Sequence, residues 1–268
     1  PPIFSQGRDG FVRLWDISEG RLDAGSPTRE LPCAAGTFCR AVVGGAPPLG
    51  AAGPAGQCVL VPDSSGSEVL VHDLRAEAPV HRVAFSSDRI GMCMALAATS
   101  SPRLVLAAFE DGCVYGHDLV AGRTSVRVQV SKKPVVCMKF CAESGKGVVG
   151  GASKQVSCFT VNCTEASSVG HVFDLPHAGV NAVDVRPDRR VVVSGGWDGR
   201  VRVFNWRKPA PLAVIDGVHS GSVHAVAFPA VDAEPVLGVG GVFASGGKEG
   251  NVVLHSLFPP KPKPPTHK

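Results

Sequence analysis

Three residues of this 268-residue chain have the types and order of an acyl-transfer trio, His177, Ser194 and Asp198. A base, a hydroxyl and an acid can generate a serine nucleophile, provided an oxyanion site lies within reach. A second run, Gly145-Lys-Gly-Val-Val-Gly150, satisfies G-x-G-x-x-G, which cradles a pyrophosphate when it opens a helix. Residues 152–159 instead alternate as a strand, so no helix N-terminus follows. As a phosphate loop the same run fails, because Phe140 stands for the first glycine and Gly147 for the magnesium-holding Ser or Thr. Neither motif supports nucleotide binding.

The nine cysteines, at 33, 39, 58, 93, 113, 137, 141, 158 and 163, never form a C-x-x-C pair and lie mostly in apolar segments. Cys137 and Cys141 would share one face of a strand about 13 Å apart, too far for one tetrahedral ion. They read as buried, reduced thiols of a reducing compartment, cytoplasmic or nuclear, where the sequon Asn162-Cys163-Thr164 is inert. No metal or cofactor is implied.

The elements that must position these groups follow from composition. Glycine (32) and proline (22) are abundant and charged residues are only 19%, which suits short strands and tight turns. The formal charge of +4 is spread along the chain with no basic stripe, so no nucleic-acid partner is expected. No apolar run approaches the ~20 residues needed to cross a bilayer, so no membrane partner is expected either.

One module recurs six times: a small-residue strand end, a polar turn, an alternating strand, then a ring near an acid. Its clearest copies are Ser5-Gln-Gly-Arg-Asp-Gly-Phe-Val-Arg-Leu-Trp15-Asp16 and Ser194-Gly-Gly-Trp-Asp-Gly-Arg-Val-Arg-Val-Phe204-Asn205. The terminal rings, at 15, 72, 117, 159, 204 and 255, recur about every 48 residues, a propeller period. Alternating strands at 135–140, 180–185 and 223–228 precede three copies, and looser fourth strands follow at 124–130 and 212–215. Four strands per period make a small antiparallel blade that must stack on its neighbours to bury both faces. The fold expected is an all-β propeller over residues 1–258, with a low-complexity insertion at 44–56 and a basic proline-rich disordered tail at 259–268. The first copy starts at its second strand, so the expectation is six recognisable blades of seven, the first incomplete.

The Ser, Asp-Gly and Trp-Asp signatures resemble WD repeats across the chain to about residue 258. Ser5 to Asp16, Val185-Arg-Pro-Asp-Arg189 and Gly196 to Trp206 resemble the beta-subunit-like protein 1 family of guanine nucleotide-binding proteins more closely than true G-protein beta subunits. In WD repeats a loop His, a strand Ser, a turn Asp and a strand ring form a structural hydrogen-bonded chain. The resemblance therefore implies that His177, Ser194 and Asp198 brace a blade, with Phe204 leaving the chain one donor short. It implies a weaker copy at His219, Ser245 and Glu249, and turn roles for Asp9, beside Trp15, and Asp111. The catalytic reading recedes, since a blade lacks an oxyanion site.

What remains is a surface. In this architecture the residue before each turn acid, here Arg8, Glu110, Trp197 and Lys248, stands on one rim facing a protein partner. Trp197 has two readings, an exposed anchor or packing on the neighbouring blade. The resemblance implies a non-enzymatic scaffold associated with the TTT co-chaperone complex, which supports phosphatidylinositol-3-kinase-related kinases of the ATM, ATR and mTOR classes. A G-protein beta-type signalling subunit is the alternative.

Overall fold

The computed structural model describes residues 3–16, 26–45, 57–85, 90–99, 103–162, 167–229 and 241–257. Cys163, most of the 44–56 insertion and the 259–268 tail lie outside the described residues. The fold is all-β, a six-bladed propeller of the WD-repeat class, with every blade an antiparallel meander. The chain divides into two compact units, residues 1–175 and 176–268.

The first unit holds four sheets. Blade 1 is β1 (Ile3–Gln6), β2 (Phe11–Trp15) and β3 (Arg29–Pro32). Blade 2 is β4 (Val42–Gly45), β5 (Gln57–Pro62), β6 (Glu68–Asp73) and β7 (His81–Ala84). Blade 3 is β8 (Cys93–Ala98), β9 (Leu104–Phe109), β10 (Cys113–Asp118) and β11 (Arg123–Gln129). Blade 4 is β12 (Val135–Cys141), β13 (Lys146–Gly151), β14 (Gln155–Thr160) and β15 (Ser168–Asp174).

Side-chain alternation explains why this unit needs stacked sheets. All six residues of β9 are buried, and they divide by period two between two cores. Val105, Ala107 and Phe109 pack with Val69, Val71 and Phe85 of the blade 2 side. Leu106 and Ala108 pack with Val149 and Phe159 of blade 4. Each fully buried Val or Phe contributes roughly 1.5–3 kcal/mol, so the stability lies between sheets rather than within one.

The second unit holds two sheets. Blade 5 is β16 (Val180–Val185), β17 (Val191–Gly196), β18 (Val201–Asn205) and β19 (Ala210–Ile215). Blade 6 is β20 (Val223–Ala227), β21 (Val242–Gly247) and β22 (Val252–Ser256). Val191, Val193, Val201 and Val203 of blade 5 bury against Val223 and Phe243 of blade 6.

The tight turn joining the second and third strands of a blade is set by its glycine. Gly199 has φ +75, a left-handed conformation, and a Cβ there would press on the carbonyl oxygens of His219 and Gly221. Among the described residues no helix is long and apolar enough to span a membrane.

Candidate functional site

In blades 1, 3, 5 and 6 the tight turn presents an acid whose partner depends on the residue four positions later, in the next strand. In blade 5 that residue is Arg202, and its guanidinium grips Asp198 at 2.5 and 3.1 Å. Arg202 is only 5% exposed. Burial alone would raise the Asp198 carboxyl, but hydrogen bonds and charge from Arg202 outweigh it and hold the group below the ordinary value of 3.8. In blade 1 Arg13 takes Asp9 at 2.6 Å, and this hydrogen bond depresses the Asp9 carboxyl. In blade 3 the Tyr115 hydroxyl donates to Asp111 at 2.6 Å.

Blade 6 places Val253 at that position, so its acid has no competing donor on the strand. Glu249 instead reaches His219 Nδ1 at 2.5 Å. His219 Nε2 lies 2.6 Å from Ser245 Oγ, which lies 2.7 Å from His255 Nε2. With Nδ1–H of His219 donated to the carboxylate, its Nε2 accepts from the Ser245 hydroxyl, and Ser245 accepts from Nε2–H of His255. The buried groups are thus satisfied in one direction of donation. The longer acid seats well, and this copy, expected to be the weaker, is the complete one.

The copy expected at His177, Ser194, Asp198 and Phe204 is not assembled. His177 is exposed, Asp198 is held by Arg202, and the buried Ser194 Oγ has no hydrogen-bond partner among the described residues. The physical reason is twofold: the Arg202 guanidinium, charged and doubly hydrogen-bonded, already occupies the carboxylate, and Phe204 offers no N–H. Trp15 does offer one, and its Nε1–H donates to Ser5 Oγ at 2.8 Å. Among the described residues, then, His177, Ser194 and Asp198 do not meet as a nucleophilic triad.

The rim residues fare differently. Arg8 and Lys248 are exposed, and the Lys248 N–H donates to the Ser222 carbonyl at 2.9 Å. Glu110 is half-buried, and its carboxylate accepts the Met92 N–H at 3.0 Å, so it faces its own blade's entering loop instead of a partner. Trp197 is 45% exposed. Its Nε1–H donates to Asn181 Oδ1 at 2.6 Å, and the indole lies on Gly179, where φ is +101 and a Cβ would collide with the ring. Trp197 thus rests on its own blade's entering loop, one face bound and the other open. Asn181 Nδ2 lies 3.4 Å from Nδ1 of the exposed His224, and Ser222 Oγ donates to the Trp197 carbonyl at 3.1 Å. Trp197, Asn181, His224, Ser222 and Lys248 therefore share one surface of the second unit. Sequence reasoning misses Asn181 and His224, since only folding brings them to the indole.

The WD domain, G-beta repeat family matches residues 167–205, which include Trp197 and its turn. Over 266 residues the chain is 30% identical to guanine nucleotide-binding protein subunit beta-like protein 1 of Mus musculus, covering 96% of this chain and 74% of that protein. The chain belongs to the subunit beta-like protein 1 family. It is also 29% identical over 179 residues to ASTRA-associated protein 1 of Verticillium alfalfae, covering 63% of this chain and 44% of that protein. Against ASTRA-associated protein 1 of Schizosaccharomyces pombe the identity is 32% over 79 residues, 26% of this chain and 21% of that protein. The chain thus spans less than half of either fungal relative.

Burial pushes the Cys137 thiol up to about 12 and the Cys158 thiol to about 11, so neither is a thiolate at neutral pH. Among the described residues no three His, Cys, Asp or Glu side chains cluster to hold a metal. The chain is a WD-repeat scaffold of the kind that serves protein–protein interaction.

Proposed function

We propose that this scaffold partners the TTT co-chaperone complex, in cytoplasm and nucleus, and supports the stability of phosphatidylinositol-3-kinase-related kinases. The observation that carries the reading is the similarity to subunit beta-like protein 1 along 96% of the chain, joined by similarity to fungal proteins named for association with ASTRA. Trp197 is the anchor: a rigid aromatic whose open face is desolvated by a partner typically contributes roughly 2 kcal/mol or more. Lys248 supplies charge beside it, which tunes encounter more than affinity.

The test is depletion of the protein from cells, followed by measurement of kinase protein and messenger levels. Kinase protein should fall while messenger is unchanged, and re-expression of the chain carrying Trp197→Ala should restore it poorly. Unchanged kinase levels would refute the reading.

A further inference from the structure

The end of blade 5 remote from Trp197 carries two turns, residues 186–190 before β17 and 206–209 after β18. Pairing of Val191 with Asn205 sets them side by side, and the Trp206 N–H donates to the Arg190 carbonyl at 2.8 Å. Together they bring Arg186, Arg189, Arg190, Arg207 and Lys208 to one end of the blade, and the one acid within the two turns is Asp188. Five cations against one acid is a balance equal to the formal net charge of the whole chain, +4. The charge that looks diffuse along the sequence is, in effect, gathered at this end.

The patch is held rigidly. Asp188 accepts two bonds from the Arg186 guanidinium, at 2.9 and 2.7 Å, and one from the Arg190 N–H at 3.0 Å. Asn205 Oδ1 accepts the N–H groups of Arg207 and Lys208 at 2.9 and 2.8 Å. The Arg190 side chain is 64% exposed and lies 3.9 Å from Asp188. The exposed side chains of Arg207 and Lys208 meet no carboxylate among the described residues.

A second observation points the same way. Arg189 has φ +56, and every other left-handed position among the described residues is glycine. An L side chain is strained there, so an arginine at 189 is held against the backbone's own preference.

We infer that this patch is a docking site for an acidic segment of a partner protein, a run of Asp or Glu carboxylates. Its size selects that occupant. Two turns on adjacent strands, about 5 Å apart, span a few carboxylates. A nucleic-acid duplex would need cations tracking some 6–10 phosphates. For a membrane surface the turns themselves offer no exposed large apolar side chain, since Trp206 is half-buried and the exposed Leu212 and Val214 lie beyond them on β19. The inference stands apart from the kinase reading, since it needs only the purified chain.

The experiment is fluorescence anisotropy of the full chain with a labelled peptide of six consecutive glutamates. Affinity should fall at least about tenfold between about 50 and about 300 mM NaCl, because exposed charges are screened. Arg190→Glu with Arg207→Glu should weaken binding at least about tenfold. Arg207→Ala with Lys208→Ala, which removes side chains outside the fold's own contacts, should weaken it about threefold or more and keeps the test valid if the reversal misfolds. Arg189→Gly, which removes one of the five cations, should weaken the peptide as well. Peptide binding indifferent to these variants would overturn the inference. So would tighter binding of a twenty-nucleotide DNA strand or of phosphatidylserine vesicles than of the peptide.

Discussion

Ser245 and His255, ten residues apart in blade 6, are joined by a 2.7 Å hydrogen bond, whereas Ser194 and Phe204 hold the same places in blade 5 and make none. The same spacing recurs in blade 1 as Ser5 and Trp15, at 2.8 Å. A buried hydroxyl is stabilising only when its ring partner can donate.

Ser245→Ala should therefore cost about 1–3 kcal/mol, since it leaves His219 and His255 without their shared partner. Ser194→Ala should be neutral or stabilising by up to about 1 kcal/mol, because it removes an orphaned buried group. Urea unfolding of both variants measures the contrast, and equal losses would contradict the assignment.

Removing the Asp198 carboxylate strands a buried guanidinium. Asp198→Ala should cost about 3 kcal/mol, and replacing Arg202 by Met in the same chain should recover much of it. Thermal melts of the single and double variants provide the reading. Because Arg202 holds the folded Asp198 below 3.8, this stabilisation is complete above that value and fades as pH drops through the depressed one.

Legibility in the sequence differs by feature. The six-fold repeat and strands such as Val180–Val185 follow from alternation, because burial of both sheet faces imposes it. The acid's partner is also written in the sequence, at the fourth position after it: arginine, tyrosine or valine decides between a strand donor and the loop His. Weighing His177 by its resemblance to a repeat position overlooks Arg202, a stronger donor. The Trp197 surroundings and the basic patch are hidden for another reason. Asn181 and His224 belong to different blades, and residues 190 and 207 meet only through pairing of β17 with β18.

Acid sensitivity should begin with histidines. Burial holds His72, His117 and His255 below the ordinary 6.5, with nearby Arg29 adding for His72. Unfolded, each binds a proton near 6.5, so stability is flat above that value and declines as pH falls below it toward the folded values. Both His72 nitrogens are buried without a partner among the described residues. His72→Phe should accordingly shrink the loss of Tm between about pH 7.5 and about pH 5.5. An unaltered loss would contradict a histidine origin for the acid sensitivity.

Gly179 supports the indole from below. Gly179→Ala should displace Trp197 and cost about 1–2 kcal/mol, because φ is +101 and the ring occupies the space a Cβ needs. Quenching of tryptophan fluorescence by acrylamide should rise in this variant.

The central claim is that the Trp197 surface binds proteins of the kinase-maturation machinery. Tagged wild-type chain and its Trp197→Ala variant, expressed at equal levels beside an unrelated propeller, should be purified and the TTT subunits quantified in each eluate. The account predicts TTT enrichment with the wild type, at least about tenfold less with the variant, and none with the control. Equal recovery by wild type and variant, or by wild type and control, would contradict it.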